Sequence, residues 1–269
     1  MKIISNILAI VILTFVFSSC EDVIEIDLKD VPQRIVIEAF IQANTGLCEV
    51  KISKTSNFYE DNTFDIVTEA EVVLFQPNGK PSVLLTEKSP GQYWTQGLEI
   101  VPGETYQIQI LTPTAEQFTA QTTAPNPVAI DTLEVEEHPF PDPDNEMDAF
   151  MVVCKLIDPE DQTNNYRLKA TVNGIIDPYL YMLRDDEIIV DNEIRLPVFS
   201  EEVFKGDSVI IELISMDRAS FNYFEKISDI SQQNGGNAII PFNPQGNFSN
   251  DALGYFGIFD SNFRTIIIN

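Results

Sequence analysis

From Arg34 onward, apolar and polar residues alternate with a period of two through Arg34–Gln42, Cys48–Ser56, Ala70–Gln76, Ser82–Glu87, Gln92–Gln96, Thr105–Leu111 and Gln117–Thr123. Side chains of an extended chain point alternately to its two faces, so each run predicts a strand with one buried face. The interruptions carry turn chemistry. In Pro77-Asn78-Gly79-Lys80 the Asn-Gly pair supplies the positive φ of a tight turn, and Ser89-Pro90-Gly91 marks a second one. Short strands with frequent turns predict an antiparallel β-sandwich over residues 33–125, closed by Ala124-Pro125-Asn126-Pro127.

The second half, residues 126–269, is expected to be a further mainly-β domain. Its strands are predicted at Ile130–Glu136, Ala149–Ile157, Tyr166–Val172, Tyr179–Arg184, Glu193–Phe199 and Ser208–Ser215, with a proline- and acid-rich loop over His138–Asp148. One segment changes period. Tyr223, Phe224, Ile227 and Ile230 recur at helical spacing, which predicts a helix at about 220–233, started by Asp217 or Ser220 and ended by Gly235-Gly236. The tail, with Leu253-Gly254-Tyr255-Phe256-Gly257 and Thr265–Ile268, reads as two short strands returning to the sheet. The expected architecture is therefore two β-sandwich-type domains with one helix in the second, and no internal repeat.

The first nineteen residues follow a different rule. Lys2, an apolar run from Ile7 to Phe17, and the small residues Ser18 and Ser19 ahead of Cys20 have the order of an export signal, so residues 1–19 are expected to be removed. The apolar run is short for a bilayer span and is followed at once by Glu21, Asp22, Glu25 and Asp27. Small residues before a cysteine suit lipoprotein processing, which makes Cys20 the expected lipidation site and residues 20–32 a short tether. Phe17 stands where an aliphatic residue is usual, so an ordinary signal peptide followed by an unmodified Cys20 remains the alternative. Stable anchoring needs more than one acyl chain.

Charge narrows the field of partners. The net charge is −26 and becomes one unit more negative once Lys2 is removed, which repels nucleic acid and anionic lipid. With 44% hydrophobic and 10% aromatic residues, the chain can still fill real cores. Besides Cys20 there are only Cys48 and Cys154, each within an alternating run in a different predicted domain, where a free cysteine behaves as a small buried hydrophobe. A disulfide between them is the alternative.

Catalytic chemistry finds little to build on. The one histidine, His138, lies in a Glu-Glu-His-Pro loop, and the chain holds no HExxH site, G-x-S-x-G elbow or phosphate-binding glycine loop. Paired carboxylates can hydrolyse glycosides, but acids are too abundant here to single out a pair. No enzyme and no cofactor are expected. Asp142, Asp144, Glu146 and Asp148 alternate as calcium ligands would, with Asp158, Glu160 and Asp161 a weaker set, but no turning glycine accompanies them and solvated acidic loops are the expectation. Alternation also separates Tyr93 from Trp94. With Tyr93 inside, Trp94 is either exposed, where it can stack on a sugar ring, or packed under a loop.

The lipid-ready cysteine followed by acids, Arg34-Ile35-Val36-Ile37-Glu38, Asn78-Gly79, Gly91-Gln92-Tyr93, Pro102-Gly103-Glu104-Thr105-Tyr106, Asp158-Pro159 leading to Asn165-Tyr166-Arg167, the aromatic helix, and Leu253-Gly254-Tyr255-Phe256 stand in a recognisable order. Together they resemble domain of unknown function 4249, over nearly the whole mature chain. The resemblance implies an outer-membrane lipoprotein with an immunoglobulin-like or carboxypeptidase-regulatory-like sandwich in front, from a family with no assigned chemistry. Its members are often encoded near TonB-dependent receptors. Asn250-Asp251-Ala252 departs from the usual glycine-rich approach to the Gly-Tyr-Phe segment. Glu21 and Asp22 are similar to a signal for surface display, or merely flank a tether.

The function expected from these readings is a non-enzymatic accessory or substrate-capture protein, held to the outer membrane through Cys20 and partnered with a TonB-dependent transporter. A surface adhesin or glycan-binding module is the alternative. The ligand is not specified by any residue.

Overall fold

The computed structural model describes residues 32–56, 64–142, 148–157, 159, 163–177, 182–185, 193–232 and 243–269. Its strands follow the alternation. β1 (Ile35–Gln42) and β2 (Leu47–Lys54) form an antiparallel hairpin, β6 (Gln92–Thr95) pairs with β2, and β5 (Thr86–Ser89) pairs with β6. A second sheet faces them, in the order β4 (Val83–Leu84), β3 (Glu71–Phe75), β7 (Thr105–Leu111), β8 (Gln117–Thr123). Between the two sheets lies a front core in which Ile37, Ile41, Val50, Leu74, Ile108 and Ile110 are fully buried. The run Ser82–Glu87, expected as one strand, is divided at Leu85. Its first piece pairs with β3 and its second with β6, while buried Leu85 bonds through its N–H to Val72 O at 2.9 Å. Uninterrupted alternation does not reveal a strand that changes sheets at one residue.

The rear half repeats the arrangement with different strands. β9 (Ile130–Glu137), β10 (Phe150–Ile157) and β14 (Glu193–Val203) make a three-stranded sheet with β10 central. β11 (Asn165–Val172) carries the two-residue β12 (Ile175–Ile176) and β13 (Met182–Asp185), and pairs on its other side with β15 (Ser208–Met216). Val152, Cys154, Leu156, Leu168, Ile211 and Leu213 fill the rear core. β12, absent from the sequence reading, follows the turn at Asn173-Gly174, where φ is +50° and +84°; two residues are too few for alternation to show.

The tail corrects a further expectation. In place of two short strands there is one fifteen-residue strand, β16 (Leu253–Ile267). Its first part pairs parallel with β1, from Val36 beside Leu253 to Gln42 beside Phe259. Its second part pairs antiparallel with β15, from Ser215 beside Asp260 to Ser208 beside Ile267. A single nine-stranded sheet results, in the order β12-β11-β15-β16-β1-β2-β6-β5 with β13 also on β11, and each half of it packs against its own smaller sheet. Residues Gln33–Asn269 group as one unit. On the first pass of the chain the front core runs to Ala124 and the rear core begins at Val128, either side of the proline-marked segment, but the front core is completed by Phe248, Ala252, Phe256 and Ile258 from the tail.

The helix, α1 (Arg218–Gln232), starts two residues before its expected position. Asp217 supplies the cap: its Oδ1 accepts the N–H of Ser220 at 2.7 Å and its carbonyl accepts the N–H of Phe221 at 3.0 Å. The expected stop at Gly235-Gly236 lies outside the described residues.

Candidate functional site

Residues directly opposite one another in a ladder share a face, so the register defines what the outer surface of the large sheet presents. Tyr93 points inward and is 2% exposed; its hydroxyl accepts the N–H of Ala70 at 2.8 Å. Trp94 therefore points outward. It is half-buried beneath Lys88, whose Nζ stands 4.6 Å from the ring centre. Phe40, Glu49, Trp94 and Thr86 form one row across β1, β2, β6 and β5, and Tyr255, Glu38, Lys51 and Gln92 form the next row, starting on β16. The outer surface of the front half is thus a mixed platform of aromatic rings, carboxylates, amides and amines.

α1 stands at the edge of that platform. Tyr223 stacks on Tyr255 with ring centres 4.6 Å apart, and Phe224 meets Phe259 edge-on at 5.7 Å, while Arg167 lies 5.3 Å from the Phe224 ring centre. Gly257 makes room for the helix, because a Cβ there would come within 3.2 Å of Ser220 Oγ and 2.6 Å of the Phe259 ring. Burial pushes the Tyr255 hydroxyl up to about 12, with Ser220 lowering it and Asp217 raising it. Tyr223 is raised by burial and by the Glu38 charge. Both phenols are thus held neutral, as packing groups rather than proton carriers.

Asp217 does more than cap. Its Oδ2 accepts from Thr122 Oγ1 and from the N–H of Thr123, each at 3.1 Å, so one carboxylate ties β8 of the front sandwich to the rear helix. Asn262 and Asn247 act similarly. Asn262 Oδ1 accepts the N–H of Ile130 at 3.0 Å at the start of β9. Asn247 bonds both the N–H and the carbonyl of Phe256, at 2.9 and 2.8 Å, and reaches Gln121 O at 2.9 Å on β8. Sequence reasoning identified Asp217 only as a cap and missed both asparagines, since no local pattern distinguishes a bridging amide from a surface one.

Among the described residues, those singled out from the sequence do not converge. Cys20 lies outside the described residues. Cys48 and Cys154 are free and buried, one in each core, and burial pushes both thiols up to about 12, the opposite of an activated nucleophile. His138 accepts the N–H of Phe140 on Nδ1 at 3.3 Å, and the neighbouring Glu136 pairs with Arg195. Of the acidic loop, Asp144 and Glu146 lie outside the described residues, as do Asp158, Glu160 and Asp161. Asp142 donates its backbone N–H to the Glu202 carboxylate. Among the described residues, no three His, Cys, Asp or Glu side chains gather as a metal ion needs, and no helix is long and apolar enough to cross a membrane.

Several of the motifs that carried the family resemblance, among the described residues, build the scaffold. In Pro102-Gly103-Glu104-Thr105-Tyr106, the buried Tyr106 hydroxyl accepts the N–H of Val101 at 2.9 Å and donates to Glu99 O at 3.4 Å, pinning the chain that enters β7. Gly254, at φ +93°, lets β16 approach β1, since a Cβ there would fall 2.0 Å from Ile37 O. The departure at Asn250-Asp251-Ala252 has a physical reading too. Asn250 and Asp251 both have φ +54°, and the Ala252 N–H reaches back to Ser249 O at 3.5 Å, so the two residues best able to replace glycine in a left-handed turn do so.

Comparison with known proteins adds a family and little else. No curated protein matches the chain. Among solved structures, the crystal structure of murine CEACAM1b is similar at 10% identity, covering 87% of this chain and 98% of that one with a TM-score of 0.22, which leaves the fold to be read from the strand pairing itself. The model for "Domain of unknown function (DUF4249)" matches residues 21–264, and the chain belongs to that family.

Proposed function

We propose that the protein is a non-enzymatic outer-membrane lipoprotein, an accessory or substrate-capture partner of a TonB-dependent outer-membrane transporter. The observation that carries this reading is the leader-like run ending at Ser18-Ser19, followed at once by Cys20 and by a family match that begins at residue 21. The outer face of the large sheet, with Phe40, Glu49, Trp94 and Thr86 in one row, offers aromatic and polar groups for a binding role. Mass spectrometry of the mature N-terminus tests the anchor, with a diacylated or triacylated Cys20 expected; an unmodified Cys20 or a cut elsewhere overturns it. Purification in mild detergent tests the partnership. Recovery with a barrel-sized transporter is expected, and recovery of the protein alone refutes it.

A second reading, a surface adhesin or glycan-binding module, is favoured by one observation. Trp94 faces outward in a row with Phe40, flanked by Glu49 and Thr86. Flat rings interleaved with polar side chains can stack on sugars while the acids accept their hydroxyls. Glycan-array binding that is lost on Trp94→Ala supports this reading; binding unchanged by that substitution removes it.

A further inference from the structure

Each sandwich lacks a strand until β16 arrives. In the front, β16 and its approach contribute Phe248, Ala252, Phe256 and Ile258 to the core and cover the edge of β1. In the rear, β16 covers the edge of β15, its residue Ile266 packs against that core, and Ile268 just beyond it is buried within it. Without β16 both cores would be open to water along one side, and the N–H and C=O groups on those edges of β1 and β15 would lose their partners.

The point where β16 passes from one partner to the other is stitched rather than loose. Ala43 N–H bonds Phe259 O at 2.8 Å, Asn44 Nδ2 bonds Ser261 O at 3.1 Å, and Ser261 Oγ bonds Glu212 at 2.8 Å. Asp217 and Asn262 tie β8 and β9 to the same region from outside. A hinge would need a segment with few such bonds, and the crossing is the opposite. In chain order the halves are also joined by the proline-marked segment between Ala124 and Val128, and again between α1 and Phe248 of the front core.

We propose that β16 is a clasp that makes the two sandwiches one cooperative folding unit, so that neither sandwich folds to completion or opens without the other. The chain then presents its nine-stranded sheet as one rigid surface instead of two domains on a linker. Pairing β1 with residues more than two hundred positions away defers the front core until the last strand is in place, because loop closure must precede the contacts that reward it.

The two buried thiols allow a direct test on the full mature chain. Cys48 reports opening of the front core and Cys154 opening of the rear. Pulse alkylation along a urea series, read for each cysteine by peptide mass spectrometry, is expected to give one shared midpoint; separate midpoints overturn the proposal. Mild variants then test coupling without abolishing the fold. Ile211→Val in the rear core and Ile37→Val in the front core are each expected to lower both midpoints together. A variant that shifts only the thiol of its own half overturns the proposal as well. Neither result depends on lipidation or on a transporter.

Discussion

Replacing Asp217 by alanine removes three hydrogen bonds at once. The cap to Ser220 N–H at 2.7 Å is worth about 1 kcal/mol. The bonds from Thr122 Oγ1 and Thr123 N–H, each at 3.1 Å to a charged acceptor, contribute at least about 1.5 kcal/mol apiece when buried; Asp217 is only half-buried, so water recovers part of this and a combined ~2 kcal/mol is the fairer figure. Asp217→Ala is therefore expected to cost about 3 kcal/mol. For a folded unit of this size that is roughly 6 to 12 °C in Tm. Asp217→Asn, which keeps an acceptor but loses the charge, is expected to cost about half as much. Urea denaturation followed by the fluorescence of Trp94, the sole tryptophan, measures both. Trp94 sits on β6 of the front half, which Asp217 reaches through Thr122 and Thr123 on β8, so its transition reports the loss of that tie. A loss below about 1 kcal/mol for Asp217→Ala would refute the assignment of this carboxylate as a tie between the halves.

Other outcomes follow from the same geometry. Gly254→Ala places a Cβ 2.0 Å from a backbone oxygen at φ +93°, whereas Gly79→Ala, at φ +70°, meets open space. The first is expected to cost about 3 kcal/mol or more and the second about 1 kcal/mol, and equal losses in thermal unfolding would contradict the close approach of β16 to β1. Stability is also expected to fall at alkaline pH. Burial raises Cys48 and Cys154 from 9.0 to about 12 and Tyr255 from 10.0 to about 12, so the fold favours their protonated forms. That stabilisation is complete below pH 9 and is lost as pH rises toward 12. A Cys48→Ala, Cys154→Ala double variant should lose stability less steeply over this range; identical slopes would count against buried thiols as the cause.

Where local pattern determines structure, the sequence was readable. The alternation in Ile35–Gln42 and Leu47–Lys54 matches the buried face of the hairpin, and the helical spacing of Tyr223, Phe224, Ile227 and Ile230 yields α1. Cys48 and Cys154 lie, as expected of small hydrophobes in alternating runs, in separate cores. The tail was misread because Asp260, Ser261 and Asn262 look like a polar break between two apolar runs. In the fold they occupy the crossing, where Asp260 and Ser261 pair with Ser215 and Ile214, and Asn262 reaches Ile130. Their partners are remote in sequence, so only the assembled sheet shows why a strand continues through them. The same reason hid Asn247. Family motifs such as Pro102–Tyr106 were recognisable, and in the fold the Tyr106 hydroxyl holds the entry to β7 in place.

The parallel pairing of β1 with β16 has a mechanical consequence. A pull applied to the chain at Gln33 runs along the axis of β1, whose hydrogen bonds to β2 on one side and β16 on the other lie across that direction. Such bonds are sheared together instead of being peeled one after another. The strand nearest the start of the fold is thereby the one fitted to withstand tension.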